Sequence, residues 1–278
     1  MMRIAAMTML MAAPAYAQDP PLEPPPERAR PAGGDGWSVT IGAAPVLTPA
    51  WQGSKQVSLS IFPDLRIAYR DVLFASVPEG IGWNAIRADG WRVGPLVKLR
   101  FGRNERNGGS PFLITGGSDA LLGMGNVKAA GEAGGFAEKT FGPRDRIRLR
   151  AELRQGFGGH RGAIADVSAT YRARVGRAIL SAGPRATAAT GDFMQTYFGI
   201  DAGQSARTGL DRYDADGGLL SWGVGGTVVR PLDRRSAITL FTSLERLAGP
   251  AADSLLIRER GQATQFTLGI GYGFRFGL

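Results

Sequence analysis

The 278-residue sequence contains no cysteine and a single histidine. Without cysteine the chain can form neither disulfides nor thiolate metal sites, and it has no thiol nucleophile. The lone histidine, His160, stands between glycines and lacks the partners that a metal centre or a nucleophile–base pair requires. We therefore expect His160 to be a solvated loop residue. The sequence predicts no catalytic residue, no metal site and no cofactor, and so a protein that is not an enzyme.

An acidic segment, DRYDADGG, is the one stretch that suggests a cation site. Asp211, Asp214 and Asp216 alternate ahead of two glycines, but the glutamate that closes an EF-hand loop is missing. A polar surface loop is therefore the favoured interpretation.

The N-terminus carries one apolar run, and it is short. The run from Ile4 to Ala13 is shorter than the roughly 20 residues of a membrane-spanning helix. It leads to Ala15-Tyr16-Ala17, a small-x-small pattern typical of signal-peptide cleavage. We predict a removed signal peptide over 1–17, a proline-rich flexible segment over 18–36, and one folded unit over 37–278.

Acidic residues are fewer than basic ones, 24 against 33, which gives a formal net charge of +9. This balance suits contact with phosphates, polyanions or an acidic membrane surface, whereas an exported chain is not expected to meet nucleic acid. The alternative is that the positive charge is distributed over a solvated interior, and the alternation of polar and apolar residues favours this alternative.

Polar and apolar residues alternate with a period of two. In DRIRLRAELRQGF, the five charged residues from Arg146 to Arg154 occupy one parity, and the other holds the apolar Ile147, Leu149, Leu153 and Phe157. On a helix these charges would spread around the circumference, but on a strand they share one face. The run from Gln265 to Phe276 repeats the pattern, as do the stretches 91–101 and 164–175. The sequence therefore predicts strands, and no convincing amphipathic helix.

Alternation alone also fits a soluble antiparallel sheet with one wet face. The alternating runs are long, however, whereas soluble strands are typically about five or six residues and tilted membrane strands about 9 to 11. Aromatic residues such as Trp37, Trp91 and Phe276 stand near strand ends, as at membrane interfaces. Because backbone groups find no water in hydrocarbon, such strands must close into a barrel.

An arginine that faced lipid at mid-depth would cost about 2–4 kcal/mol, so the arginine row must face the interior. We expect pairing with carboxylates such as Glu152, Asp166 and Glu245, which would fill the lumen, or alternatively a cationic pore that prefers anions. The charged residues predicted to face the lumen are Arg92, Lys98, Arg100, Arg146, Arg148, Arg150, Glu152, Arg154, Asp166, Arg172 and Arg174.

The predicted fold is all-β: a transmembrane, antiparallel, up-and-down β-barrel of about 12 strands, within a range of roughly 10 to 14. Tight connections near 69–71, 142–144 and 231–234 predict periplasmic hairpins, and longer joins at 102–126 and 201–217 predict external loops. The predicted strands are 37–46, 56–67, 71–84, 90–101, 127–141, 144–158, 162–176, 178–190, 192–200, 218–230, 235–248 and 262–276.

Several short motifs, taken in order, resemble the MipA/OmpV family of outer-membrane proteins. They are Pro49 to Ser54 (PAWQGS), Pro63 to Tyr69 (PDLRIAY), Tyr197 to Ile200 (YFGI), Tyr213 to Gly218 (YDADGG), Leu247 to Leu255 with Asp253-Ser254, and Gly269 to Phe274. The resemblance spans about residues 37 to 278.

The resemblance implies a scaffold of the Gram-negative outer membrane, in contact with lipid and lipopolysaccharide, that brings together a periplasmic murein hydrolase and a murein synthase. Other relatives are regarded as adhesins. A narrow channel or a small-solute-binding barrel with a cationic lumen is the alternative that the interior arginines suggest.

Overall fold

The computed structural model describes residues 36–143 and 145–277. The predicted signal peptide, 1–17, and all but the last residue of the predicted proline-rich segment, 18–36, lie outside the described residues. The described elements are β1 Trp37–Pro49, β2 Val57–Tyr69, β3 Leu73–Ser76, β4 Gly80–Trp83, β5 Ile86–Ala88, β6 Trp91–Arg100, β7 Leu113–Gly116, β8 Ala130–Phe141, β9 Ile147–Gly158, β10 Ala163–Val175, β11 Ala178–Ala189, α1 Gly191–Phe198, α2 Ala202–Thr208, β12 Gly218–Pro231, β13 Ser236–Leu247, α3 Gly249–Asp253, a π-helical turn Leu256–Arg260, and β14 Thr264–Gly277.

The strands form a closed antiparallel barrel. β1 pairs with β2 on one side and with β14 on the other, so the described strands complete a ring of twelve. β5 and β7 lie off this ring and pair with β6 and β2. Ring closure leaves no free sheet edge, which is the condition for crossing a bilayer with strands. The predicted all-β barrel of about twelve strands is confirmed.

The segment 71–84, predicted as one strand, is a hairpin of two short strands. β3 ends at Ser76 and β4 begins at Gly80, whose φ is +77°. Pro78 cannot donate to a ladder, and the glycine adopts the left-handed conformation that the turn requires. The alternation of apolar residues concealed a proline–glycine turn signal in the middle of the run.

The segment 192–200, also predicted as a strand, contains most of α1, and the expectation of no amphipathic helix is wrong. The helix buries Phe193 and Tyr197, and Phe198 beside Met194, so its buried residues are four apart. Eight residues give too few turns for this period to stand out, and packing rather than intrinsic propensity stabilises so short a helix. The two errors cancel in the count of strands, because one predicted strand forms two strands and another forms a helix.

The two ends of the barrel differ. Tight turns at 70–72, 89–90, 142–146, 176–177 and 232–235 connect strands at one end, the short-turn end, where β1 begins and β14 finishes. The connections 50–56, 101–129, 190–217 and 248–263 lie at the other, the long-loop end. The tight turns and long joins predicted from the sequence fall at these two ends as expected.

The outer surface of the barrel is apolar. On β9, Leu149, Leu153 and Phe157 are exposed, whereas Arg154 on the opposite parity is buried. The same alternation runs along β10 and β14, where Val167, Phe266 and Ile270 point outward. Such an apolar band is typical of barrels that face lipid. Among the described residues, no helix is long and apolar enough to cross a membrane.

The wall between β2 and β6 is built in two halves. Near the short-turn end the β3–β4 hairpin joins them, while towards the long-loop end β2 pairs with β7. Gly94 allows this construction, because a Cβ there would lie 1.7 Å from the carbonyl oxygen of Trp83. The hairpin also brings its tip, with Glu79, into the interior.

Candidate functional site

The arginine row of β9 lies against carboxylates of the neighbouring strands. Arg150 Nε is 2.8 Å from Glu152 Oε1, and Arg150 Nη1 is 3.1 Å from Glu138 Oε2 on β8. Register explains the contact, because Glu138 is the direct cross-strand partner of Arg150. Glu138 also accepts a hydrogen bond from Arg92, at 3.3 Å.

Nearer the long-loop end, six charged side chains form what we call the ionic layer: Lys98, Arg100, Glu132, Glu152, Arg154 and Asp166. Lys98 Nζ lies 2.8 Å from Glu152, and Arg100 Nε lies 2.5 Å from Glu132. Arg154 joins Glu132 to Asp166. Paired, hydrogen-bonded charges tolerate burial, whereas a charge left without its partner costs several kcal/mol, roughly 3–5.

Glu132 was not among the residues singled out in the sequence, although it is the centre of the ionic layer. It is buried and contacts Arg100, Arg154 and His160. The signal was present, since Glu132 and Glu138 share one parity of a predicted strand. Each stands opposite a lysine or arginine, and cross-strand pairs of opposite charge are favourable.

His160 is not a solvated loop residue. Its side chain is fully buried, with Nε2 3.1 Å from Glu132 Oε1. Its ring packs edge-on against Phe193, with 5.0 Å between ring centroids, and against Tyr197 at 5.9 Å. The nearby glycines do not indicate a mobile turn. A Cβ at Gly156 would clash with the ring of His160, so glycine at this position makes room for the imidazole.

Six of the predicted lumen residues lie outside the ionic layer, towards the short-turn end, and three of these lie closest to its rim. Arg146 precedes β9, and its guanidinium donates to the hydroxyl of Tyr171 at 3.3 Å on the exposed surface. On β10, Arg172 is half-buried and Arg174 is exposed. Glu245, on β13, pairs with Arg185 at 3.3 Å, separately from the ionic layer.

The long-loop end is closed by a packed apolar cluster, which we call the cap. Its members come from the ends of β10 to β13 and from four of the loops, so the cluster reaches across the barrel mouth. The buried residues of the cap are Ala50, Trp51, Leu121, Met124, Ile164, Ala189, Phe193, Met194, Tyr197, Phe198, Ile200, Leu210, Ala215, Leu220, Leu247, Ala251, Leu256 and Ile257.

Four of the motifs that carry the family resemblance meet in the cap. Trp51 of PAWQGS and Phe198 of YFGI are completely buried there, beside Ala215 of YDADGG. Ser254 Oγ donates to the carbonyl of Phe198 at 2.6 Å. These segments are far apart in the sequence, so the resemblance follows from one packed structure at the long-loop end.

The cap also holds specific polar contacts. Gly53, with a φ of +111°, donates its N–H to Gln265 Oε1 at 2.9 Å, and a Cβ at Gly53 would clash with Ile257. Tyr213 donates its hydroxyl to the carbonyl of Pro250 at 2.8 Å, and burial raises its pKa.

Arg103, in the loop after β6, is buried beneath α1 and donates to the carbonyl of Tyr197 at 2.5 Å. Burial lowers the pKa of its guanidinium to about 10, so it remains charged at neutral pH.

The short-turn end contains a cavity of about 180 Å³, which we call the vestibule. It is lined by the starts of β1, β9 and β13 and by the ends of β2, β8 and β14. Three acids, Asp64, Glu79 and Glu138, face it. Its arginines outnumber them twofold: Arg66, Arg92, Arg148, Arg150, Arg235 and Arg275.

Sequence reasoning identified Arg92, Arg148 and Arg150 of the vestibule and missed Arg66, Arg235 and Arg275. Arg275 alternates with Phe274 and Phe276 and was visible in the pattern. Arg235 lies in a turn, where an alternation of period two does not indicate which way a side chain points. Within the described ranges, no group of three or more histidine, aspartate or glutamate side chains could hold a metal ion.

The chain is similar to several solved structures and to one family model. An outer membrane channel from Pseudomonas putida F1 is 12% identical, with a TM-score of 0.47, over 92% of this chain and 100% of that chain. The NanC porin is 10% identical, with a TM-score of 0.39, over 86% of this chain and 98% of that chain. No curated protein matches the chain significantly. The model of the MltA-interacting protein family, MipA, matches residues 41–276, and the chain therefore belongs to that family.

Proposed function

We propose that this barrel is an outer-membrane scaffold that docks murein-remodelling enzymes at its short-turn end. The family's name supplies the first partner, the murein enzyme MltA, and the resemblance of the motifs adds a murein synthase. Outer-membrane barrels have short periplasmic turns and longer external loops, so the short-turn end would face the periplasm, where these enzymes work.

The observation that carries this proposal is the contrast between the two ends. The long-loop end is closed by the cap, and the ionic layer occupies the interior beneath it. The vestibule, in which arginines outnumber acids, opens instead among the short turns. A protein acting on the periplasmic side would carry its accessible recognition features there.

The remaining parts of the proposal concern export and surroundings. Residues 1–17 would direct the chain to the periplasm and be removed, and the proline-rich segment 18–36 would extend from the start of β1 at the short-turn end. The apolar outer face would contact membrane lipid, with lipopolysaccharide around the long-loop end.

We propose that the barrel has no enzymatic activity. Ser254, near α3, donates to the carbonyl of Phe198 in the cap, and His160 is buried against Glu132 and two aromatic rings. A general base must reach a substrate proton, which these positions do not allow.

A channel is the second candidate, favoured by the arginines of the vestibule. The cap and the ionic layer argue against a continuous path. Planar-bilayer recordings of the mature chain test this directly: we expect no steady ion current and no change of selectivity in Arg148→Glu. A stable current whose anion preference falls in Arg148→Glu would support the channel instead.

Co-purification tests the scaffold. The chain is recovered from detergent extracts of outer membranes, and bound murein hydrolase and synthase are quantified. Arg234→Glu changes an exposed residue of the β12–β13 turn, and Arg212→Glu makes the same change of charge at the long-loop end. We expect the first substitution to reduce co-purification and the second to leave it unchanged. Recovery of neither enzyme with the unaltered chain would overturn the proposal.

A further inference from the structure

The vestibule combines an excess of positive charge with a small volume that opens among the short turns. Six arginines and three carboxylates line it. Three of these arginines have carboxylate partners at hydrogen-bonding distance: Arg66 lies 2.6 Å from Asp64, while Arg92 and Arg150 lie 3.3 and 3.1 Å from Glu138.

Arg148 lies 3.9 Å from Glu138, and the other two vestibule arginines, Arg235 and Arg275, form no salt bridge in the part of the chain that the structure describes. The charge of Arg235 nevertheless acts on Asp233 in the same turn. The backbones of Arg235 and Arg275 are held together by a hydrogen bond from Arg275 N to the carbonyl of Arg235 at 2.8 Å. Arg235 precedes β13 and Arg275 lies near the end of β14, so both belong to one side of the short-turn rim. Like charges on adjacent backbones repel each other, and an anion bound between them would relieve the repulsion.

The volume limits what can enter. The cavity of about 180 Å³ is smaller than the roughly 300–1,000 Å³ of pockets that take drug-sized ligands. A folded domain cannot enter, but a carboxylate on a side chain or at the end of a peptide can. The planar fork of arginine binds a carboxylate through two parallel hydrogen bonds, which favours this group over a monatomic anion.

We propose that the vestibule binds a carboxylate of a murein stem peptide. The murein is the polymer that faces the periplasmic side of the outer membrane, and its peptides end in free carboxylates. Arg235 and Arg275 would form the forks that hold the carboxylate, and Arg148 would contribute from the opposite wall. The barrel would thereby contact the cell wall itself. This inference rests on the proposed periplasmic orientation of the short-turn end, but not on the docking of enzymes there.

The test is calorimetric titration of the mature chain in detergent with a soluble disaccharide-tetrapeptide fragment of murein. The matched probe is the same fragment with its carboxylates amidated. Arg235→Gln and Arg275→Gln remove the two arginines that form no salt bridge in the described structure. Arg230→Gln is the control, because Arg230 is exposed on β12, belongs to the same rim and does not line the vestibule. Heat-modifiable migration on a gel verifies that each variant folds.

We expect the fragment to bind, the amidated fragment not to bind, and each vestibule substitution to weaken binding about tenfold or more, the loss typical of one charge-assisted hydrogen bond. Arg230→Gln should bind as the unaltered chain does. Equal affinity of the vestibule variants and the control would overturn the proposal. So would equally tight binding of inorganic phosphate, or of a hexaglutamate peptide, since either would show a general oxyanion site or one for acidic proteins.

Discussion

The imidazole Nε2 of His160 lies 3.1 Å from Oε1 of Glu132, and both side chains are fully buried. The same carboxylate pairs with Arg100 of β6 and Arg154 of β9, while the ring of His160 packs on Phe193 of α1. One acidic side chain thus joins three strands of the barrel, and through His160 it joins the ionic layer to the cap.

Replacement of Glu132 should destabilise the barrel strongly. Glu132→Gln keeps the shape of the side chain but removes the charge that compensates Arg100 and Arg154, and breaking a buried ion pair costs about 3–5 kcal/mol. Urea unfolding followed by heat-modifiable migration measures the loss. Glu245→Gln is the control, because Glu245 is 20% exposed and pairs with one arginine in the described structure. Equal losses in the two variants would contradict the central place of Glu132.

Gly156 should tolerate no side chain. A Cβ there would lie 2.1 Å from the ring of His160, so Gly156→Ala must displace the imidazole towards Phe193. We expect a loss of about 1–3 kcal/mol, as for overpacking elsewhere. Gly131→Ala, on the neighbouring strand, places its Cβ where nothing lies within 4 Å. It should leave the unfolding midpoint unchanged, and a comparable shift in both variants would argue against the packing described for His160.

The cap should depend on Trp51, which is completely buried and donates from Nε1 to Ser118 at 3.4 Å. Trp51→Ala should cost about 3–5 kcal/mol. Because the loops of the cap lose their packing, trypsin should cut the 190–217 connection faster, while the strands stay protected. Trp222→Ala is the control, since Trp222 is 53% exposed on the outer face. Unchanged cleavage in Trp51→Ala would contradict a cap held together by this residue.

The β12–β13 turn should respond to acid. Asp233 accepts hydrogen bonds from Ser236 Oγ at 2.6 Å and from the backbone N–H groups of Arg235 and Ser236, and these bonds lower its pKa. A lowered pKa means that the turn is stabilised above the unfolded value of about 3.9 and loses that contribution as the pH falls through the folded value.

NMR titration of Asp233 measures this directly. Ser236→Ala removes the one hydrogen bond of the three that comes from a side chain, so we expect the pKa of Asp233 to move back towards its ordinary value. A pKa that is the same in both chains would show that the hydroxyl of Ser236 does not stabilise the carboxylate.

The barrel could be predicted because lipid and lumen impose a period of two on every long strand, as on β9 and β14. The short strands β3 and β4 and the helix α1 could not be predicted in this way. Their sequences are too brief for a period to be measured, and Phe193 and Tyr197 are helical because the cap buries them. The partners of the arginines on β9 required the register of the sheet, which places Glu138 opposite Arg150.

The vestibule shows the same limit. Its arginines come from several strands and one turn, and only closure of the barrel brings Arg66, Arg148 and Arg275 around one cavity. Local patterns indicate which face of a strand a residue occupies, but not how far along the barrel axis it lies. Arg148 and Arg154 share one face of β9, and the first lines the vestibule while the second lies in the ionic layer.

Site-specific photo-crosslinking in living cells tests most directly whether the short-turn end is the face that docks partners. A crosslinking residue replaces Arg234 in the β12–β13 turn or, in a second strain, Arg212 at the long-loop end, both of which are exposed. We expect position 234 to crosslink to a murein hydrolase or synthase and position 212 to crosslink to neither. Crosslinks to these enzymes from position 212 alone, or from neither position, would contradict the account.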